Sequence, residues 1–197
     1  MSLRYSSLKI FRFPEKLLSL PRETDSILPP IHIRLKPTNV CSHHCRYCAY
    51  RAPDLQLGES MRARDTIPRE KMMEIIEDVI AMGVRAVTFS GGGEPLGYPH
   101  LLEAVNRLAE SPVRFAALTN GAALEGPLAE VFAKYGAWVR VSMDGWDAES
   151  YANYRRIGTE EFGRVVCNME RFKQLGGACL LGVNLVEIGR ASCRERV

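Results

Sequence analysis

Residues 87–95 read Val-Thr-Phe-Ser-Gly-Gly-Gly-Glu-Pro. Strand-forming residues run directly into a glycine triplet, the pattern of a buried strand that ends in a turn. Glycine permits positive φ and lets another group approach the backbone without a Cβ in the way. Alone the triplet says little. It is not GxGxxG, and it lacks the lysine of a phosphate loop. Its weight comes from its neighbours, because the same unit recurs on both sides.

Upstream, Ile31, Ile33 and Leu35 alternate with His32, Arg34 and Lys36, a short first strand. After a long loop, Pro68 sits where a first helical turn tolerates it, Met72, Met73, Ile76, Val79 and Ile80 recur at helical spacing, and Gly83 stops the helix. Downstream, Leu101, Leu102, Val105 and Leu108 mark a helix, and Phe115 to Leu118 a strand ending at Thr119-Asn120-Gly121. Leu128, Val131 and Phe132 mark the next helix, and Trp138, Val139 and Val141 a strand ending at Asp144-Gly145. Tyr151 and Tyr154 belong to a short helix, Phe162 to Phe172 to a longer one, and Leu180 to Leu185 start a fifth strand. Strands alternating with helices predict an α/β fold with a parallel sheet. Every strand ends in small or polar residues, where α/β barrels place their chemistry. Open doubly wound sheets obey the same rule, and alternation alone does not separate the two.

The loop after the first strand carries Cys41-Ser-His-His-Cys45-Arg-Tyr-Cys48. Three soft thiolates within eight residues suit zinc or an iron–sulfur centre. Structural zinc takes four protein ligands, often in separated pairs, and an ordinary [4Fe–4S] site takes four cysteines. Cys167 and Cys179 lie on a later helix and near a strand start, so no fourth ligand is clustered here. A zinc site borrowing His43 or His44 is the alternative. The histidines are otherwise loop residues, and a metal module without catalysis is the competing class.

CxxxCxxC with aromatic Tyr47 before its third cysteine, followed one unit later by GGGEP, resembles the radical S-adenosylmethionine (SAM) superfamily. The resemblance covers roughly residues 31 to 187. It implies a partial (β/α)6 TIM-like barrel, here truncated after about five strands. It also implies a [4Fe–4S] cluster on Cys41, Cys45 and Cys48 whose open iron chelates SAM. An electron from the cluster then splits SAM to a 5′-deoxyadenosyl radical that abstracts a substrate hydrogen. By the same resemblance Gly92, Gly93 and Glu94 contact the methionyl amino group, and Gly91 belongs to the same cofactor-binding turn. The later strand ends are similar to those of the branch that often carries an auxiliary-cluster domain. There Ser142 matches a polar residue at the fourth strand, and Arg155 or Arg156 a downstream arginine, that hold the SAM ribose and carboxylate. The implied partners are a reductant such as flavodoxin or ferredoxin and a substrate the residues do not name.

With 197 residues, 46% hydrophobic and 25% charged, the chain has the composition of a globular protein with one ordinary core. No apolar run reaches the roughly 18–20 residues of a membrane span. The N-terminus shows no secretory signal, which predicts the cytoplasm and reduced thiols. Residues 1–30, broken by Pro14, Pro21, Pro29 and Pro30, form a lead-in to the 31–187 core. Residues 188–197, Ile-Gly-Arg-Ala-Ser-Cys-Arg-Glu-Arg-Val, resemble translated adapter sequence and read as a non-native tail. Leaving them out removes three of 26 basic and one of 23 acidic residues, so the net charge falls from +3 to +1. With no Lys/Arg block either, charge gives no indication of nucleic acid.

Overall fold

The computed structural model describes residues 11, 13–18, 28–51, 59 and 61–186. Residues 188–197 lie outside the described residues. The chain divides into two compact units, Met1–Ile31 and His32–Val197. The first holds helix α1 (Pro14–Leu18). It opens on a proline, where the missing N–H has no helical partner to lose, and its Lys16 Nζ donates to Pro29 O at 2.8 Å.

The second unit alternates strand and helix. In chain order it contains β1 (His32–Leu35), α2 (Arg69–Ala81), β2 (Ala86–Phe89), α3 (Leu101–Ala109), β3 (Arg114–Thr119), α4 (Gly126–Tyr135), β4 (Trp138–Ser142), α5 (Ala148–Arg155), α6 (Glu160–Gln174) and β5 (Leu180–Asn184). All neighbouring pairs are parallel, and the spatial order is β1-β2-β3-β4-β5. That order separates the two architectures. A doubly wound sheet reverses direction at a switch point. Right-handed crossovers that advance one strand at a time in a single direction put every helix on the same face. The sheet is therefore a partial barrel of the TIM type.

The core lies between the sheet and its helices. Val87, Phe89, Phe115, Ala117, Val139 and Val141 alternate onto the helical face and are buried. They meet Met72, Ile76 and Val79 of α2, Leu101, Val105 and Leu108 of α3, Phe132 of α4 and Val165 of α6. Phe115 and Phe132 pack edge to face at 5.2 Å. The intervening residues Arg34, Thr88, Leu118 and Arg140 project to the other face. Among the described residues, no helix is long and apolar enough to cross a membrane.

Two predictions arise from this packing. Gly163 sits exposed inside α6, and a Cβ there would meet nothing within 4 Å. Gly163→Ala is expected to stabilise the unit by about 0.5–1 kcal/mol, read as a higher urea midpoint. The second concerns Cys179, which is buried, so burial pushes its thiol up to about 11 from 9.0. Its folded value lies above its unfolded one, so the native state holds the proton longer. Stability is therefore complete below about pH 9 and is lost as pH rises through about 11. At about 1.4 kcal/mol per unit, wild type should lose about 2–3 kcal/mol more than Cys179→Ala between pH 8 and 11.5. Equal losses in urea melts at the two pH values would contradict this.

Candidate active site

The site is assembled at the C-terminal ends of the strands, around the loop that leaves β1. The loop's first residues are pinned to the returning chain. Asn39 N donates to Asp65 O at 2.8 Å and Ile67 N to Pro37 O at 2.9 Å. Asn39 Nδ2 reaches Arg62 O at 2.9 Å. From there the loop crosses the glycine turn. Gly93 N donates to Thr38 O at 3.0 Å and Glu94 N to Val40 O at 2.8 Å. A Cβ on Gly93 would stand 2.2 Å from Val40 O and 2.5 Å from Asn39 C, and one on Gly92 would stand 2.9 Å from Asn39 Oδ1. Gly92 and Gly93 are thus required by the cysteine loop, which lies directly on them, and Gly91 by the turn's own backbone, since a Cβ there would stand 2.3 Å from Gly93 O.

Glu94 is buried, and its carboxylate accepts from Thr119 Oγ1 at 2.5 Å, Asn120 N at 2.6 Å and Leu96 N at 3.0 Å. It clips the end of β2 to the end of β3. Burial pushes its carboxyl above the usual range, against the pull of those three donors. Three of about four acceptor positions are taken, so one remains.

The three cysteines are half-buried free thiols. Cys41 Sγ accepts from His43 N at 3.4 Å and Asn120 Nδ2 at 4.0 Å. Burial pushes the Cys41 thiol up. Cys48 N donates to Cys45 O at 3.2 Å, closing a tight turn between them. The residues flanking Cys45 dock on the end of α5, with His44 N on Arg155 O at 2.9 Å and Arg46 N on Tyr154 O at 3.0 Å.

Of the two candidate arginines, the structure turns Arg155 inward. Arg156 is exposed and ends α5 with a left-handed φ of 53°. Arg155 is buried, and its Nη2 donates to Asp144 Oδ2 and to Ser142 O, both at 2.5 Å. Its Nη1 lies 3.4 Å from Cys45 Sγ. Ser142 contributes its carbonyl to this network. Asp144 also receives the Tyr47 hydroxyl, and Val186 N at 2.7 Å.

Asp144 enters the site without a motif of its own, as the partner of the Tyr47 that the cysteine motif contains. The local strand-end pattern marks a turn at Asp144 but not its partner, which is 97 residues away in Tyr47. His43 is a second case. It is 2% exposed, with Nε2 3.1 Å from Glu161 Oε1, and Arg164 holds the same oxygen at 2.6 Å. Burial pushes the His43 imidazole down, against the pull of Glu161.

Two observations test whether these residues suit the cofactors that the cysteine motif implies. Arg155 Nε and His43 Nδ1 are buried polar atoms without a protein partner. A buried arginine N–H without a partner suits a carboxylate or hydroxyl oxygen. A cavity of about 390 Å³ also opens beside Cys41, Ser42, Glu94 and Arg164. That size falls in the range of small-molecule sites. Among the described residues no group of three or more His, Cys, Asp or Glu side chains is placed to hold a single metal ion.

A partial parallel barrel with a three-cysteine loop at its mouth defines a cofactor-bearing α/β barrel. Residues 35–187 match the family described as the radical SAM superfamily, and the chain belongs to it. That family uses a [4Fe–4S] cluster and SAM. The chain is 32% identical over 143 residues to the GTP 3′,8-cyclase of Synechococcus elongatus, covering 71% of this chain and 41% of that protein. It is 26% identical over 110 residues to an S-adenosylmethionine-dependent nucleotide dehydratase of Lacinutrix mariniflava, covering 56% and 22%. The crystal structure of Streptococcus suis SuiB bound to S-adenosylmethionine shares the fold, with a TM-score of 0.62 at 17% identity, over 91% of this chain and 44% of that one. The chain thus spans less than half the length of these relatives.

Proposed function

We propose that residues 31–187 form the SAM-cleaving core of a radical SAM enzyme, with 1–30 as a lead-in. The observation that carries this is the convergence, at one barrel mouth, of the cysteine loop, the Glu94 carboxylate and the open Nε of Arg155. Cys41, Cys45 and Cys48 would hold the cluster, and three protein ligands leave one iron for SAM. When bound, the cluster and SAM supply reductive cleavage to a 5′-deoxyadenosyl radical that takes a hydrogen from substrate. The chain's own residues position. Gly91, Gly92 and Gly93 keep the turn flat beneath the loop. Glu94 offers its remaining acceptor position to the amino group, and Arg155 Nε offers a donor to the carboxylate. Ser142 lies at the fourth strand end, beside the ribose in this reading. The partner is an electron donor such as flavodoxin or ferredoxin in the cytosol.

For the substrate we propose a nucleotide, supported by the two sequence relatives named for GTP cyclisation and nucleotide dehydration. Anaerobic reconstitution of the full chain with iron and sulfide, then dithionite and SAM, tests the core activity. Release of 5′-deoxyadenosine is the expected result, faster with GTP than without. A brown protein that never releases it would indicate a binding or electron-transfer module. A colourless protein that retains zinc would end the iron–sulfur reading.

A further inference from the structure

We propose that Arg155 sets the reduction potential of the cluster by donating a charged hydrogen bond to the sulfur of Cys45. The inference rests on the reading of Cys45 as a cluster ligand and adds a second task to a residue already placed beside SAM.

The geometry leaves Arg155 little choice of target. Its side chain is 5% exposed, and one nitrogen of the guanidinium is held by two oxygens, Asp144 Oδ2 and Ser142 O, each at 2.5 Å. The guanidinium is planar and rigid, so fixing Nη2 aims Nη1 as well. Nη1 meets Cys45 Sγ at 3.4 Å. Cys45 is tied to the same helix end by its backbone. The last carbonyls of a helix lack helical partners, and here the left-handed turn at Arg156 ends the helix with Tyr154 O and Arg155 O available. The amides on either side of Cys45 take both of them. Sulfur and guanidinium are therefore fixed to one frame from two directions, although 110 residues separate them. Cys41, by contrast, receives its hydrogen bonds from neutral groups, an amide N–H and the Asn120 side chain.

The consequence follows from charge. One electron from a reductant makes the cluster one unit more negative. A cation with little exposure, hydrogen-bonded to a ligand sulfur, stabilises that reduced form and raises the potential. Asp144, paired with the same guanidinium, opposes it. The two residues form a matched pair of opposite sign, and their removal should shift the potential in opposite directions.

The test is a redox titration of the reconstituted full chain with dithionite, followed by electron paramagnetic resonance in the absence of SAM. Binding of the cofactor and turnover then play no part in the readout. Arg155→Met is expected to lower the midpoint by at least a tenfold change in the one-electron equilibrium, about 59 mV. Arg155→Lys, which keeps the charge but not the fork, should shift less. Asp144→Asn, nearly the same shape without the charge, should raise the midpoint. A loaded Arg155→Met with the wild-type midpoint overturns the inference, and so does a downward shift in Asp144→Asn. Should Arg155→Met fail to fold with Asp144 left buried and unpaired, Asp144→Asn decides alone, and no upward shift overturns the inference. A wild-type chain that takes up no cluster overturns the ligand assignment, and this inference with it. Loaded wild type beside unmoved variants overturns this inference only.

Discussion

Cys45→Ala is expected to lose the cluster, with iron falling from about four per reconstituted chain towards none. Alanine has no donor atom, and two remaining thiolates do not anchor a four-iron core. The loss should come without unfolding. The loop around Cys45 is held by backbone hydrogen bonds from His44 and Arg46 to the end of α5, and those do not involve the side chain. The Arg155–Asp144 pair is also left intact. Circular dichroism should therefore match the wild type while the visible absorbance of iron and sulfide disappears. Cys167→Ala is the control. Cys167 lies within α6, outside the strand-end loops, and should leave iron content unchanged. Undiminished iron in Cys45→Ala would falsify the ligand assignment.

Gly93→Ala is expected to be the most damaging glycine substitution at the site. The added methyl would stand 2.2 Å from Val40 O and 2.5 Å from Asn39 C. Both are backbone atoms of the cysteine loop, so no side chain can swing aside. Relief requires the loop to lift, which breaks the bonds from Gly93 N to Thr38 O and from Glu94 N to Val40 O. Overpacking of this kind costs about 1–3 kcal/mol, and the displaced loop should also fail to retain its cluster. The measurements are the urea midpoint and the iron per chain. Gly163→Ala provides the contrast, since a methyl in open helix surface should move the midpoint the other way. A Gly93→Ala protein with wild-type stability and iron would show that the loop does not rest on the turn.

The alternation of strand and helix was legible because each strand buries alternate residues and each helix buries one stripe. Val87 and Phe89, or Met72, Ile76 and Val79, announce their elements by spacing alone. The cysteine motif was legible for a related reason. All three thiols are supplied by one short loop, so their proximity is guaranteed by chain connectivity. The importance of the glycine triplet was also visible, but its local reason was not. The nearest obstacle to a side chain on Gly93 is the carbonyl of Val40, more than fifty residues earlier in the sequence.

What the chain determines by itself is therefore its local vocabulary: five strand-and-turn units, three thiols in one loop, and a glycine turn one unit later. Tertiary structure decided the rest. Partial barrel against doubly wound sheet depends on strand order, which the same alternation permits either way. Between Arg155 and Arg156, adjacent and identical in type, the choice fell to where the last turn of α5 points each side chain. Asp144 finds Tyr47 across 97 residues, and His43 finds Glu161 across 118. Such pairs carry no period and no spacing rule. They form because folding buries a charge or a polar ring, and a buried polar group needs a partner supplied by whichever strand end the barrel brings beside it.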